Sequence, residues 1–239
     1  MRRAGDAPEG THEVVFDVTD AGAIGAAAAG IYRLDALVNN AGIAIAAPLE
    51  FLPPDELTRQ LDVNVVGQVR VTQAFLPALR RAGGRIVFVG SVGGRSALPF
   101  LGAYAASKFA LEAVSDSLRV EVAPWGIHVS IVEPGTIATP MWTKPQPAVQ
   151  EMPPEVGELY GARIDKFRSL AQRRSAARGV PPVEVAKAIE HALTAPTPKT
   201  RYLVGADAKR RARLQVLPDR SRDRLLQRFL FGREGARGR

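Results

Sequence analysis

Short β-branched or apolar runs alternate along the chain with longer stretches whose apolar positions recur at helical spacing. The runs EVVFDV (13–18), LDALVN (34–39), RIVFVG (85–90), HVSIVE (128–133) and RYLVG (201–205) predict strands. Between them the pattern predicts an Ala-rich helix from about Ala21, a long helical region from Pro54 to Arg81 and a third from Tyr104 to Val122. Later helices are expected near Glu155 to Gln172 and Pro182 to Thr194. Pro54 suits a first helical turn, and Gly83 and Gly84 end the second pattern. Such alternation is the mark of an α/β fold with a parallel sheet. The strands are continuous apolar runs, so helices should cover both faces of that sheet.

Composition narrows the picture. The chain has 239 residues, 46% of them hydrophobic, enough for one well-buried domain. With no cysteine, the fold cannot rest on disulfides or thiolate-bound metal, which points to a reducing compartment, and no metal site is expected. The first residues, MRRAGDAPEGTHE, lack the apolar core of a signal peptide, and no run of about 18 apolar residues occurs. A soluble, cytoplasmic protein is the expectation. The net charge of +8 is concentrated at one end: 13 Lys or Arg against 4 Asp or Glu fall between Lys199 and Arg239. A basic tail on a nearly neutral body, without zinc-finger spacing or stacking aromatics, argues against nucleic acid as a partner.

Candidate chemistry lies in five segments: NNAG from Asn39 to Gly42, LDVNVVG with Asn64, GSVGG with Ser91, YAASK with Tyr104 and Lys108, and VEPGTIATP from Val132 to Pro140. Singly each is weak, since tyrosine and lysine four apart on a helix are most often a surface pair. In this order, with Ser91 thirteen residues before Tyr104, the set resembles the short-chain dehydrogenase/reductase family from about Asp17 to at least Gly205. The resemblance implies a Rossmann-type doubly wound sheet and a nicotinamide-dependent oxidoreductase. It further implies Tyr104 as the proton-exchanging group, Ser91 as a hydrogen-bonding partner of the substrate oxygen, and Asn64 as support for a proton relay beside Lys108. A tyrosine hydroxyl has an ordinary pKa of about 10, and a neighbouring ammonium lowers it. Lys108, one turn from Tyr104, is expected to do so.

By the same resemblance Asp17 and Val18 would meet the adenine, and Asn39, Ala41 and Gly42 would pass beside its ribose. Lys108 and Tyr104 would reach the nicotinamide ribose, while Pro134, Gly135, Ile137 and Thr139 would hold the nicotinamide. The sequence departs from the family at its start: the usual T-G-x-x-x-G-x-G turn is absent before Glu13. Gly22, Gly25 and Gly30 fit neither that pattern nor G-x-G-x-x-G. The expected fold therefore lacks its first β-α-β unit, leaving EVVFDV to pair with LDALVN or to fray. On this reading the chain begins internally and binds NADPH poorly as it stands, for want of an anion-binding loop. Arg2 and Arg3 would face a 2′-phosphate, making NADP the expected cofactor and NAD the alternative.

Leu98, Phe100, Met141 and Trp142 offer an apolar lining suited to a lipophilic alcohol or ketone. The stretch TRYLVGADAK resembles the corresponding part of retinol, hydroxysteroid and 3-hydroxybutyrate dehydrogenases. Residues 1–205 are expected to form the truncated domain and 206–239 a basic helical extension of it. That extension would cover the substrate mouth, pack on a second subunit in a homo-oligomer, or lie on an anionic membrane surface, the last being the less favoured. Two functional classes stay open: a nicotinamide-dependent enzyme that interconverts a lipophilic secondary alcohol and its ketone, or a catalytically silent, family-shaped interaction module.

Overall fold

The computed structural model describes residues 9–139 and 153–232. Four strands, β1 (Ala36–Asn39), β2 (Arg85–Val89), β3 (His128–Pro134) and β4 (Arg201–Val204), form one parallel sheet in the order β1-β2-β3-β4. Along β2, Ile86 and Phe88 point to one face and Val87 to the other, and all three are fully buried. The first face packs Leu79, Leu111, Val122, Val129 and Ile131. The second packs Val87, Val132 and Val204 under Ala192. Burial of alternate residues on opposite faces is why these strands read as unbroken apolar runs.

The helices on the first face come from two long stretches. One is a single helical run, α2 (Pro54–Leu61) and α3 (Gly67–Ala82), joined by a π-helical turn over Asp62–Val66. It ends at Gly83, whose φ of 58° needs glycine's freedom. The other is α4 (Gly102–Glu121), whose buried positions Tyr104, Lys108, Leu111, Glu112 and Ser115 recur at helical spacing. A shorter helix, α1 (Ala21–Ala29), is capped by the Asp20 carboxylate, which accepts from the Ala23 amide at 3.0 Å. On the second face lies α6 (Pro182–Thr194), preceded by α5 (Glu155–Arg178). Beyond β4 come α7 (Ala206–Arg213) and α8 (Asp219–Phe231), with α8 packed on α5. Among the described residues no helix is long and apolar enough to cross a membrane.

Of the two outcomes expected for EVVFDV, pairing with LDALVN or leaving the sheet, the structure shows the second. Residues 13–18 enter no ladder: Val14 and Val15 are each 53% exposed, and β1 pairs with β2 alone. Two contacts account for this. Thr19 donates its amide and hydroxyl to the Asp17 carboxylate, turning the chain into α1, which packs on α3. Val18 meanwhile seats on Gly67, where a Cβ would lie 2.8 Å from the Val18 carbonyl oxygen. The segment is thus docked on the helical layer instead of the sheet.

Loop 90–101, between β2 and α4, is pressed onto α4 by its glycines. A Cβ on Gly94 would lie 2.7 Å from the Lys108 carbonyl oxygen, a backbone atom that cannot swing aside. Under the same loop runs a buried charge network. Glu133, fully buried at the end of β3, pairs with Arg95 and Arg201, and Arg201 also holds Glu112 and Asp116. Burial, and then the Glu133 charge, push the Glu112 carboxyl up to about 7, with Arg201 opposing.

Two outcomes follow from this packing. Gly94→Ala should cost about 1–3 kcal/mol, because loop and helix must part; an unchanged melting temperature would contradict the close approach. Glu112 holds a proton in the folded chain that the unfolded chain releases near 4.5, so its contribution to stability declines as pH rises from about 4.5 to 7. Glu112→Gln should remove that decline, and stability curves that stay parallel across this window in chemical denaturation would refute it.

Candidate functional site

The loops that follow all four strands gather at the carboxyl edge of the sheet, where open α/β sheets place their sites. Ser91 opens the loop after β2, and its hydroxyl accepts from the Gly93 amide at 3.0 Å. It lies beside the Tyr104 phenol, near enough to favour the phenolate, across a gap that Gly93 leaves open. A Cβ on Gly93 would stand 3.2 Å from the Tyr104 ring and 3.3 Å from the Ser91 hydroxyl. One turn along α4, the buried Lys108 ammonium donates to the carbonyl of Val89, the last residue of β2, at 2.8 Å.

A stripe of buried amides holds the loop after β1 against these groups. Gln60, Asn64 and Gln68 stand four apart on the α2–π–α3 run, each no more than 1% exposed. Gln60 accepts from the Ile45 amide and donates to the Ile43 carbonyl, both at 2.8 Å. Asn64 accepts from the Ile43 amide at 2.8 Å and donates to the Ile43 carbonyl and the Ser107 hydroxyl, each at 3.0 Å. Gln68 donates to the Ala41 carbonyl at 2.7 Å. The π turn lies in the middle of this stripe and carries Asn64, an instance of helix widening where side chains have work to do. Gly42 borders both groups: a Cβ there would sit 3.3 Å from the Asn64 carbonyl oxygen and 4.0 Å from the Lys108 nitrogen.

Electrostatics depart from expectation. Burial pushes the Tyr104 phenol above its ordinary value, against the Ser91 hydroxyl and the charge of Arg211, both of which favour the phenolate. Lys108 is not the group that lowers it. Its nitrogen lies 5.8 Å from the Tyr104 ring centre and is turned to Val89, and burial drops its own pKa to about 8. The expected lowering of the phenol by Lys108 is therefore corrected.

The other expected residues fall in several environments. The Asp17 carboxylate caps its own turn, and the Thr19 hydrogen bonds hold its pKa below the usual value. Asn39 is buried and donates to the Thr72 hydroxyl at 2.8 Å. After Pro134, the backbone of 135–139 is largely occupied by its own chain. Gly135 donates to the Val204 carbonyl, Thr136 to the Asp207 carboxylate, Ala138 to the Val180 carbonyl and Thr139 to the Ile137 carbonyl. A Cβ on Gly135 would collide with Asp207. Among the described residues no acceptor meets the Ile137 amide. Leu98 is half-buried, and Phe100, at a φ of 67°, stacks edge-on with Tyr160, Phe167 and Phe231 at 5.7–6.4 Å. Met141 and Trp142, with Arg2 and Arg3, lie outside the described residues.

Sequence reasoning did not single out Gln60, Gln68, Asp207 or Arg211. The amides were findable, since three of them four apart in QLDVNVVGQ form a polar stripe on an otherwise amphipathic helix. Arg211 is one arginine among many in a basic tail and carries no local signal.

The chain can be set beside known proteins. A family model described as short chain dehydrogenase matches residues 4–150. Human retinol dehydrogenase 5 is 41% identical over 213 residues, covering 83% of this chain and 67% of that protein. Human 17-beta-hydroxysteroid dehydrogenase type 1 is 40% identical over 206 residues, covering 84% and 62%. The chain thus spans about two thirds of the length of these relatives. Among solved structures, a short-chain dehydrogenase from Streptomyces avermitilis superposes with a TM-score of 0.68 at 32% identity, over 92% of this chain and 78% of that one. One from Burkholderia cenocepacia, in complex with NADP, gives 0.68 at 27% identity, over 92% and 80%. Together with a parallel sheet whose carboxyl edge carries Asn64, Ser91, Tyr104 and Lys108, these matches make the chain a member of the short-chain dehydrogenase family.

Proposed function

We propose that the chain is an NADP-dependent oxidoreductase, with NAD as the alternative cofactor, that interconverts a lipophilic secondary alcohol and its ketone. The observation that carries this reading is the Ser91 hydroxyl set beside the buried Tyr104 phenol, with Gly93 between them, at the carboxyl edge of the sheet one turn from Lys108. When bound, the nicotinamide supplies the hydride donor or acceptor. Tyr104 exchanges the proton at its phenolic oxygen, and Ser91 holds the substrate oxygen in line with it. A phenol kept above its ordinary pKa is protonated near neutral pH, which suits proton donation to a ketone oxygen. Arg211 and Ser91, which favour the phenolate, make the reverse acceptance of a proton less costly.

Asn64, bonded to the backbone of Ile43 and to Ser107, keeps the floor of the site rigid beside Lys108 and supports a relay of the proton toward solvent. Several features are compatible with a cofactor here: the cradle at Gly42, bounded by Asn64 and Lys108, and the unmatched Ile137 amide. Ala41, Gly42, Tyr104, Lys108, Pro134, Ile137 and Thr139 would border its nicotinamide half, and Asp17, Val18 and Asn39 its adenosine half. The NADP complex of the Burkholderia cenocepacia relative favours the same cofactor class. Leu98 and Phe100 supply apolar surface for the substrate body, in keeping with the retinol and hydroxysteroid relatives.

Tyr104→Phe should lower turnover of a ketone panel by about 10²–10⁴-fold, the usual worth of a positioned acid/base group. The measurement is NADPH consumption at millimolar cofactor, with melting temperature as the check that the fold is intact. A folded variant that keeps its turnover would remove Tyr104 from this role.

A further inference from the structure

Arg211 is a cation whose hydrogen-bonding capacity the fold and the proton-transfer scheme leave partly unused. It lies on α7, directly after β4, and its guanidinium donates to the carbonyl of Ser96, within the loop that carries Ser91. That places a cation from the chain's basic end against the substrate side of the candidate site. Its Nε is buried and meets no hydrogen-bond acceptor among the described residues. No described carboxylate forms an ion pair with it.

The neighbouring charges do not balance. Asp207 acts on Arg211 favourably, but the same carboxylate already accepts the Thr136 amide. Arg174 of α5 acts on Arg211 unfavourably, and its own guanidinium lies over the Phe229 ring at 4.0 Å. Two guanidinium groups thus share one carboxylate, in surroundings desolvated enough that burial is the leading influence on both. A buried donor without an acceptor is costly, and a buried cation in excess more so. An anionic ligand group relieves both at once, with the fork geometry that suits a carboxylate.

We propose that Arg211 is the specificity-determining residue of the substrate pocket, binding a carboxylate on the ketone or alcohol whose carbonyl end faces Ser91 and Tyr104. This rests on the function proposed above for the location of the substrate, and it deepens that reading: the substrate is amphipathic, with an apolar body against Leu98 and Phe100 and an acidic group at Arg211. A purely structural role, clamping the Ser96 carbonyl, would affect charged and uncharged ligands alike.

The test is equilibrium binding, which does not require turnover. The probes are 4-oxo-4-phenylbutanoate, a stable keto acid, and its methyl ester, titrated calorimetrically into the full chain, with homologues of longer and shorter spacer to cover the carbonyl-to-carboxylate distance. The acid should bind at least about 10-fold more tightly than the ester, as expected for a charge-assisted bond. Arg211→Leu should abolish that preference while leaving ester binding within about threefold, and Arg211→Lys should restore part of it. Equal binding of acid and ester, binding of neither across the spacer series, or an acid preference that survives in a folded Arg211→Leu variant would each overturn the proposal. Acid-selective binding without reduction of any ketone would instead sink the proposed oxidoreductase activity and leave the anion site standing.

Discussion

The site depends on one constraint: a lysine side chain buried to 6% exposure whose described hydrogen-bond partner is a backbone carbonyl, that of Val89. In a low-dielectric interior such a group is stable only where an acceptor is held for it. Strand β2 ends at Val89 and provides one, so α4 must lie with Lys108 over the strand's carboxyl end. Tyr104, one turn earlier, then faces the loop that leaves β2, and Ser91 is the first side chain of that loop able to reach the phenol. Glycines 93 and 94 let the loop come close enough: one spares the Tyr104 ring, the other the Lys108 backbone. Each placement follows from the one before, and the chain of contacts begins with an ammonium that cannot be left without a partner.

The amide stripe does for the loop after β1 what the glycines do for the loop after β2. A loop at a sheet edge carries backbone groups that neither helix nor strand satisfies. Here Gln60, Asn64 and Gln68 satisfy those of Ala41, Ile43 and Ile45. Asn64 also donates to the Ser107 hydroxyl, which in turn donates to the Tyr104 carbonyl at 2.7 Å. The two loops and α4 are therefore one hydrogen-bonded body, with the rigidity that the proposed proton transfer needs. The charge network beneath, from Arg95 through Glu133 to Arg201 and Asp116, ties the same loop to β3, β4 and the far side of α4.

Much of this was legible in the sequence, and what was not has physical reasons. The parallel sheet and its four described strands follow from apolar runs broken by helical periodicity, and the grouping of Asn64, Ser91, Tyr104 and Lys108 follows from motif order. EVVFDV stays out of the sheet, one of its two expected outcomes, because strand propensity is a statement about a pleated, half-buried surface, and Val18 packs against Gly67 on a helix instead. The direction of the Tyr104 shift was misjudged for a similar reason. Helical spacing puts Lys108 on the same face as Tyr104, but it cannot say that the ammonium turns to Val89 or that desolvation of the phenol outweighs nearby charge. Arg211 was invisible because its meaning depends on β4 delivering α7 to the loop at Ser96, a contact between residues 115 positions apart.

The proposed reading is that this edge of the sheet would hold a reduced nicotinamide as hydride donor to a carbonyl, with Tyr104 supplying the proton. The most direct measurement is isotope transfer: the chain is incubated with a ketone and NADPH deuterated at the reactive nicotinamide carbon, separately for each face, and the product alcohol is examined by mass spectrometry. Deuterium is expected at the carbinol carbon from one cofactor face alone. Deuterium from both faces equally, or an alcohol formed without deuterium from either, would contradict it.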